Sequence, residues 1–452
     1  MTAPDHLRIT GPEDILGFIP HSLGYWPARS LVAMTVQGKR LGATLRVDLP
    51  GGGGSPDWSG TLGPDGFARS VASYLTADAD ADGSLLALFT ETDGDGAPWA
   101  ELLAALEDTL ADAGIPVRDA WLIGADYWRN AYCLDPSCCA PPGRPVEEIT
   151  NSRLNAEMVY RGSTVGAAPG AALLTPPPGP PDPAVLEAQQ GWAELFSAHL
   201  RDRRQFGQVL DVWARVLQAP APTLSTALTG YLRASLCVPS WRDAVLVMAA
   251  AGPEAAARGA EDFGVFDGGR PDPGGGGPRP ASGPSSRPPA PLPALEGFPP
   301  LGPAPSGQSS RGGGPRKEGP RKEGAGIDGT GRDGTERGGA RERPEVPGYG
   351  EVLLGLAPPL PDGAVMARLD RLLEQLGAAG GEAGAATLTG RGWIEWCRGK
   401  GSFADALFRR ADQEFPGYRL AELLAELVSR GTLCGWAARR EAAWQRFEPD
   451  VA

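Results

Sequence analysis

Apolar and polar positions change their spacing several times along the chain. Residues 12–19 (PEDILGFI) predict a short helix, with proline and acidic residues in its first turn and an apolar run behind them. Residues 30–36 (SLVAMTV) are strand-like, a Gln-Gly-Lys turn follows, and 41–49 (LGATLRVDL) alternate strictly. That alternation puts Leu41, Ala43, Leu45, Val47 and Leu49 on one face and Arg46 and Asp48 on the other, as in a hairpin with one face in a core. A helix is expected at 64–76, a short buried strand at 84–89 (SLLALF), a helix at 98–113 and a strand at 117–125. A strand–helix–strand unit of this kind places its two strands parallel in one sheet with a right-handed connection.

After a proline-rich hinge at 175–183 the spacing turns helical, with candidate helices at 185–200, 206–217, 224–236 and 241–250 and again at 364–376, 385–398, 402–414 and 418–429. Trp393, Trp396, Phe403, Phe408 and Phe415 fall at near-helical spacing and read as core between helices. Gly401 to Ala406 echo the Gly-x-Tyr-x-x-Ala of a tetratricopeptide repeat, but no 34-residue period accompanies them, so repeat-like packing and an ordinary helical bundle both stay open. Between the helical stretches, residues 267–347 hold 21 Gly and 17 Pro with Phe298 as the single aromatic. Such a stretch has too little apolar surface to offset backbone ordering and is expected to be disordered, as spacer or as recruitment tail. Excising 268–345 is therefore expected to leave the melting temperature nearly unchanged. The fold class is α/β, a small mixed N-terminal sheet followed by an all-α region. The expected domains are 1–175 (α/β), 184–264 (helical), 267–347 (linker) and 348–452 (helical).

Charge and composition narrow the function classes. The 452 residues carry 42 basic and 55 acidic side chains, a formal net charge of −13, which argues against non-specific nucleic-acid binding. The most apolar run, 244–251, is too short to cross a bilayer, and the first thirty residues lack a signal-peptide core, so a cytoplasmic protein without a membrane partner is expected. Six irregularly spaced cysteines do not make a disulfide framework, and reduced thiols are expected. With 38 Arg against 4 Lys, and few Asn and Ile, the composition points to a GC-rich genome.

Residues 9–50 carry a recognisable signature: Asp14, then Pro20, Leu23, Gly24, Tyr25 and Pro27, then Ser30, Leu31 and Val32, closing with Arg46, Val47, Asp48, Leu49 and Pro50. This resembles the start of an actinobacterial family known as domain of unknown function 4192. Three later blocks look similar: 128–143 (WRNAYCLDPSCCAPPG), Arg242-Asp243, and 393–421. The tract at 267–347 looks like an insertion, and CRGKG at 397–401 stands where a more acidic loop is usual. The resemblance implies a fold and a bacterial cytoplasm, and carries no activity across.

The candidate chemistry is sparse. Cys133, Cys138 and Cys139 have a spacing that suits Zn²⁺, a redox pair or a structural loop with small buried thiols; a closed zinc site needs a fourth ligand, and His21, His199 or Cys237 would have to supply it. His21, Ser30 and Asp48 contain the residue types of a nucleophile–base–orienter set, although no nucleophile elbow surrounds Ser30. Pro20 and Gly24 read as a shaped turn docking the first helix on the hairpin. Arg46 and Asp48 suit an ion pair or a ligand-facing pair. The loop at 91–96 follows a strand and precedes a helix, where α/β folds bind ligands, yet Leu102 stands where a calcium loop requires Glu. No complete catalytic set emerges. The expectation is a non-enzymatic protein-interaction or regulatory module with another protein as partner. The alternative is an enzyme or small-ligand or metal-binding protein with a pocket at the strand ends.

Overall fold

The computed structural model describes residues 9–51, 55–59, 62–90, 92–93, 97–133, 135, 139, 142–169, 182–219, 222–266, 288–299, 346–439 and 441–442. Contacts divide the chain into two units. The first joins residues 1–182 to 354–363 and 370–452; the second comprises 183–353 and 364–369.

The first unit is built on a six-stranded mixed sheet. Helix α1 (Pro12–Leu23) leads into β1 (Ser30–Gln37) and β2 (Arg40–Asp48). Then come α2 (Gly63–Leu75), β3 (Gly83–Phe89), α3 (Ala100–Asp112), β4 (Val117–Ile123), β5 (Tyr127–Asn130) and β6 (Arg144–Pro145), followed by α4 (Glu147–Thr150) and α5 (Arg153–Tyr160). The strand order is β2-β1-β3-β4-β5-β6; only β3 and β4 run parallel, as the strand–helix–strand pattern predicts. Both faces of the sheet are covered. Leu31, Ala33, Leu86, Leu88, Ala120 and Leu122 pack under α2 and α3. Val32, Met34, Leu85, Phe89, Trp121 and Ile123 pack with Leu16 and Ile19 of α1 and Ile149 of α4. Burial on both faces explains why β1 and β3 read as unbroken apolar runs.

Two expectations need correction here. The helix at 12–19 continues through Pro20 to Leu23. Pro20 has no N–H to give to Leu16 O, so the helix continues past it with that one bond missing, and Gly24, at φ 93°, closes the helix by donating its N–H to Pro20 O at 2.7 Å. In β2 the strict alternation does not put all five apolar residues on one face. The register moves from Met34 opposite Thr44 to Val36 opposite Leu41, so Gly42 and Ala43 share one partner position, Thr35. That bulge turns Leu41 toward the α1 face, while Leu45, Val47 and Leu49 stay with α2 and α3. Asp78 holds it: Thr35 Oγ1 donates to Asp78 Oδ2 at 2.5 Å, Gln37 Nε2 to Asp78 Oδ1 at 2.7 Å, and Ala43 N–H to Thr35 Oγ1 at 2.7 Å. A Cβ on Gly42 would collide with Asp78 Oδ2 and Thr35 Oγ1, so a side chain there must displace the groups that hold the bulge.

The second unit is helical. It contains α6 (Pro183–Ser197), α7 (Arg203–Gln218), α8 (Thr226–Leu236), α9 (Pro239–Ala251), α10 (Pro253–Asp262) and α11 (Tyr349–Leu353). Asp202 caps α7 by accepting from Arg204 N–H at 2.7 Å, and Ser225 caps α8 by accepting from Leu228 N–H at 3.2 Å. Phe196 meets Tyr231 and Trp241 edge-on, each at 5.1 Å, in an aromatic core. Residues 364–369 of α12 (Gly363–Gly377) belong to this unit and the remainder of that helix from Asp370 to the first.

The first unit is completed by α13 (Gly381–Cys397), α14 (Gly401–Glu414) and α15 (Arg419–Ser429). Trp393, Trp396 and Phe408 are buried there, as expected for core aromatics, while Phe403 is half-buried and Phe415 exposed. The basic loop at 397–401 pairs its charges locally: Arg398 with Asp370 at 3.0 Å and Glu395 at 2.5 Å, Lys400 with Glu395 at 3.2 Å. No helix among the described residues is long and apolar enough to cross a membrane.

Most of the tract at 267–347 lies outside the described residues. Its residues 288–299 are described, and they depart from the expectation of a chain without packing: Ala290 and Pro293 are buried.

Candidate functional site

The signature residues converge at one end of the sheet, where β1 begins beside the ends of β2 and β3: Ser30 is opposite both Asp48 and Phe89. Asp14, 1 % exposed, accepts from Thr10 N–H at 2.8 Å, Thr10 Oγ1 at 2.6 Å and Leu154 N–H at 3.1 Å. It therefore caps the first turn of α5 together with Ser152, whose Oγ accepts from Asn155 N–H. Burial alone would raise its carboxyl, but the Thr10, Leu154 and Gly11 hydrogen bonds outweigh burial and hold it below the ordinary value.

His21 is fully buried. Its Nε2 lies 2.7 Å from Asn155 Oδ1 and its Nδ1 2.9 Å from Ser163 Oγ. The Asn155 amide is oriented by its Nδ2 donating to Thr150 O at 2.6 Å, so Oδ1 faces the imidazole as an acceptor and Nε2 carries the proton. Gly24 O accepts from Gly166 N–H at 2.8 Å, which pins Tyr25 beside Gly166 as an isolated parallel bridge. Asp14, His21 and Gly24 thus bind α1 to residues 150–166.

Ser30 does not meet His21. Its hydroxyl donates to Ala28 O at 2.7 Å and accepts from Arg46 Nε at 2.8 Å. Arg46 also donates through Nη2 to Asp48 and through Nη1 to Ser402 Oγ of α14 at 2.9 Å. The ring of Tyr25 stands edge-on to Phe403 at 5.4 Å, and Tyr74 donates to Gly431 O at 2.5 Å. Arg46 and Asp48 make an ion pair along one strand, and the nucleophile–base–orienter set is not assembled. The partners that consume these groups, Asn155, Ser163 and Ser402, are more than a hundred residues away in the chain, and no local spacing signals them.

At the other candidate pocket, the ends of β3 and β4, Glu91 and residues 94–96 lie outside the described residues. Asp93 Oδ1 accepts from Asp126 N–H at 3.1 Å and Tyr127 N–H at 3.0 Å, so it caps the turn into β5. Cys133 and Cys139 are half-buried and Cys138 lies outside the described residues; among those described, no three His, Cys, Asp or Glu side chains gather around a metal position. Of the distant ligands weighed, His21 is engaged as above, and Cys237 Sγ lies 3.5 Å from Arg233 O and 3.7 Å from Gln189 Nε2. Burial pushes the Tyr132 phenol up, with Glu107 adding to it through a hydrogen bond. Arg129 of β5 lies in the 128–143 block and at the edge of the strand-end pocket expected between 91–95 and 126–129. It is 8 % exposed, and among the described residues its Nε and Nη1 are buried without a hydrogen-bond partner.

In the helical unit, residues 288–299 lie against α7. Ala290 N–H donates to Oε1 of fully buried Gln205 at 2.7 Å, and Arg215 Nε donates to Pro299 O at 3.1 Å. Gln205 and Arg215 lie ten residues apart, about 15 Å along the helix axis, so the segment meets α7 in the same chain direction, extended at 288–294 and turning at 295–298, where Phe298 N–H donates to Leu295 O at 3.2 Å. Arg242 is also buried here and pairs with Asp243 at 2.7 Å; burial raises the Asp243 carboxyl and Arg242 opposes the rise.

Comparison with curated proteins gave no match, and comparison with solved structures gave none. A family model, Domain of unknown function (DUF4192), matches residues 12–261. The matched span starts at α1, takes in the signature cluster and the whole sheet, and reaches α10, more than half of the chain. The block at 393–421 falls outside it. The residues that suggested the resemblance are those that knit α1 to α5 and to the sheet, and the chain belongs to this family.

Proposed function

We propose that the chain is a non-enzymatic interaction module whose helical unit receives an extended peptide. The observation that carries this reading is the segment 288–299, which contributes its Ala290 N–H to buried Gln205 and buries Ala290 and Pro293 against the helical unit. The signature cluster agrees with a scaffold role, since His21, Ser30 and Asp14 each serve a structural contact. A photo-crosslinking amino acid at half-exposed Leu292 tests it. Recovery of the same partner protein from replicate native lysates is the expected result, and recovery of none overturns the reading.

A second reading, a small-ligand pocket at the strand ends, is favoured by Arg129. Two buried guanidinium nitrogens without partners among the described residues suit an anion. Melting in buffers with and without sulfate tests it. The expected result is sulfate stabilisation of the intact chain that Arg129→Met abolishes; equal stabilisation of both removes the pocket.

A further inference from the structure

We infer that the α7 face beside Gln205 and Gln208 is a site for proline-rich peptides of a partner protein, and that the chain's own residues 288–299 occupy it in cis as a displaceable ligand. This deepens, and rests on, the interaction-module reading.

Three observations carry it. The occupant is present: RPPAPLPALEGFPP spans 287–300, and its described part meets α7 in the same chain direction, with polar contacts to that helix near both of its ends and the proline-rich stretch ahead of its turn at 295–298. Its chemistry fits a particular mode of recognition. In Pro288-Pro289-Ala290-Pro291-Leu292-Pro293 only Ala290 and Leu292 have backbone N–H groups, and the buried Gln205 side chain accepts from Ala290. A proline-restricted segment loses little entropy on docking, so two hydrogen bonds and a few buried side chains suffice to hold it. Finally, the fit is incomplete. Among the described residues Gln205 Nε2 and Gln208 Oε1 are buried without partners, the first on the amide that receives Ala290, the second one helical turn along. A donor and an acceptor left open beside the bound segment mean that a peptide offering a carbonyl to Gln205 and an N–H to Gln208 binds better than the cis segment does. The preferred partner is therefore an extended proline-rich stretch with a small residue in the Ala290 position and a further non-proline residue facing Gln208.

Pro288 follows Phe266 by 22 positions in the same chain, so the cis segment is supplied at an intramolecular effective concentration, on the order of mM. With an intrinsic dissociation constant near 100 μM for the segment itself, cis occupancy weakens a trans peptide about tenfold.

The test uses the full chain and a variant with 288–299 replaced by Gly and Ser at equal length, titrated with a fluorescein-labelled synthetic peptide of residues 286–300. The variant is expected to bind the peptide about tenfold more tightly than the intact chain. A peptide carrying Ala290→Pro, which lacks the N–H read by Gln205, is expected to bind the variant about tenfold more weakly than the parent peptide. No binding to a variant that retains a cooperative melt overturns the inference, as does equal binding to both chains. A concentration-dependent dimer of the intact chain, made by exchange of the segment between copies, also overturns it, because the occupant would then be a second copy. If the variant does not fold, hydrogen exchange on the intact chain decides. The Ala290 amide should be protected and lose protection when excess unlabelled peptide is added; an amide that excess peptide leaves unchanged overturns the inference. These readouts need no cellular partner, so they fail separately from the Leu292 capture experiment.

Discussion

Replacing His21 by Ala separates a structural imidazole from a catalytic one. The substitution removes both ring nitrogens, so Asn155 Oδ1 and Ser163 Oγ lose partners inside a buried site. Each buried polar group left unpaired costs about 1–3 kcal/mol. The two together cost about 2–6 kcal/mol and the void left by the ring adds to this, a large part of the ~5–15 kcal/mol that holds a domain together. Because two units unfold in one chain, a single denaturation midpoint does not isolate the effect. Native-state hydrogen exchange does, read at the Gly166 amide, which donates to Gly24 O, and at the Leu154 amide, which donates to Asp14. A loss of about 3 kcal/mol corresponds to exchange faster by about two orders of magnitude. Ser30→Ala is the control: it loses the bonds to Ala28 and Arg46 but leaves residues 150–166 attached, so Gly166 stays protected. Wild-type protection of Gly166 in His21→Ala would refute the structural assignment and return His21 to the catalytic candidates.

Acid stability follows from the carboxylates. Asp14 and Asp78 are held below the ordinary value by hydrogen bonds that outweigh burial, so their contribution is complete above the unfolded carboxylate range near pH ~4 and is lost as pH falls through their lower folded values. Urea midpoints between about pH 5 and pH 2 should therefore fall for the wild type and fall less for Asp14→Asn; an equal fall excludes Asp14 as a source. Gly42→Val drives a side chain into Asp78 and Thr35 and should destabilise the first unit by about 2–3 kcal/mol, measured by urea unfolding, whereas a neutral result would mean that the bulge relaxes freely. Removing 288–299 takes two hydrogen bonds from α7, and a fall in melting temperature of a few degrees is expected by calorimetry; an unchanged temperature would restore the composition-based expectation for the whole tract.

Local patterns identified much of the first unit. SLLALF is apolar on both faces because β3 is covered on both, and the parallel β3–β4 pair follows from the helix between them. The four residues of β5 and two of β6 are too short to show any period. The reversed face of Leu41 was hidden because a bulge at Gly42 and Ala43 leaves the written alternation intact while shifting its register. The site was less legible. Asp14, His21, Ser30 and Arg46 stand out by type, but what each does is decided by Leu154, Asn155, Ser163 and Ser402, which only the fold brings near. Segment 288–299 was invisible for a different reason: composition measures how little a stretch can bury, whereas proline lowers how much it must bury to stay docked.

The Arg46–Ser402 and Tyr74–Gly431 bonds have a consequence for biosynthesis. Their partners are 356 and 357 residues apart, so the sheet emerges from the ribosome long before the helices that dock on it. At synthesis rates of about 5–20 residues per second the interval is tens of seconds. Throughout it the nascent sheet must wait without its last partners, which makes this stage the point at which a chaperone has most to protect.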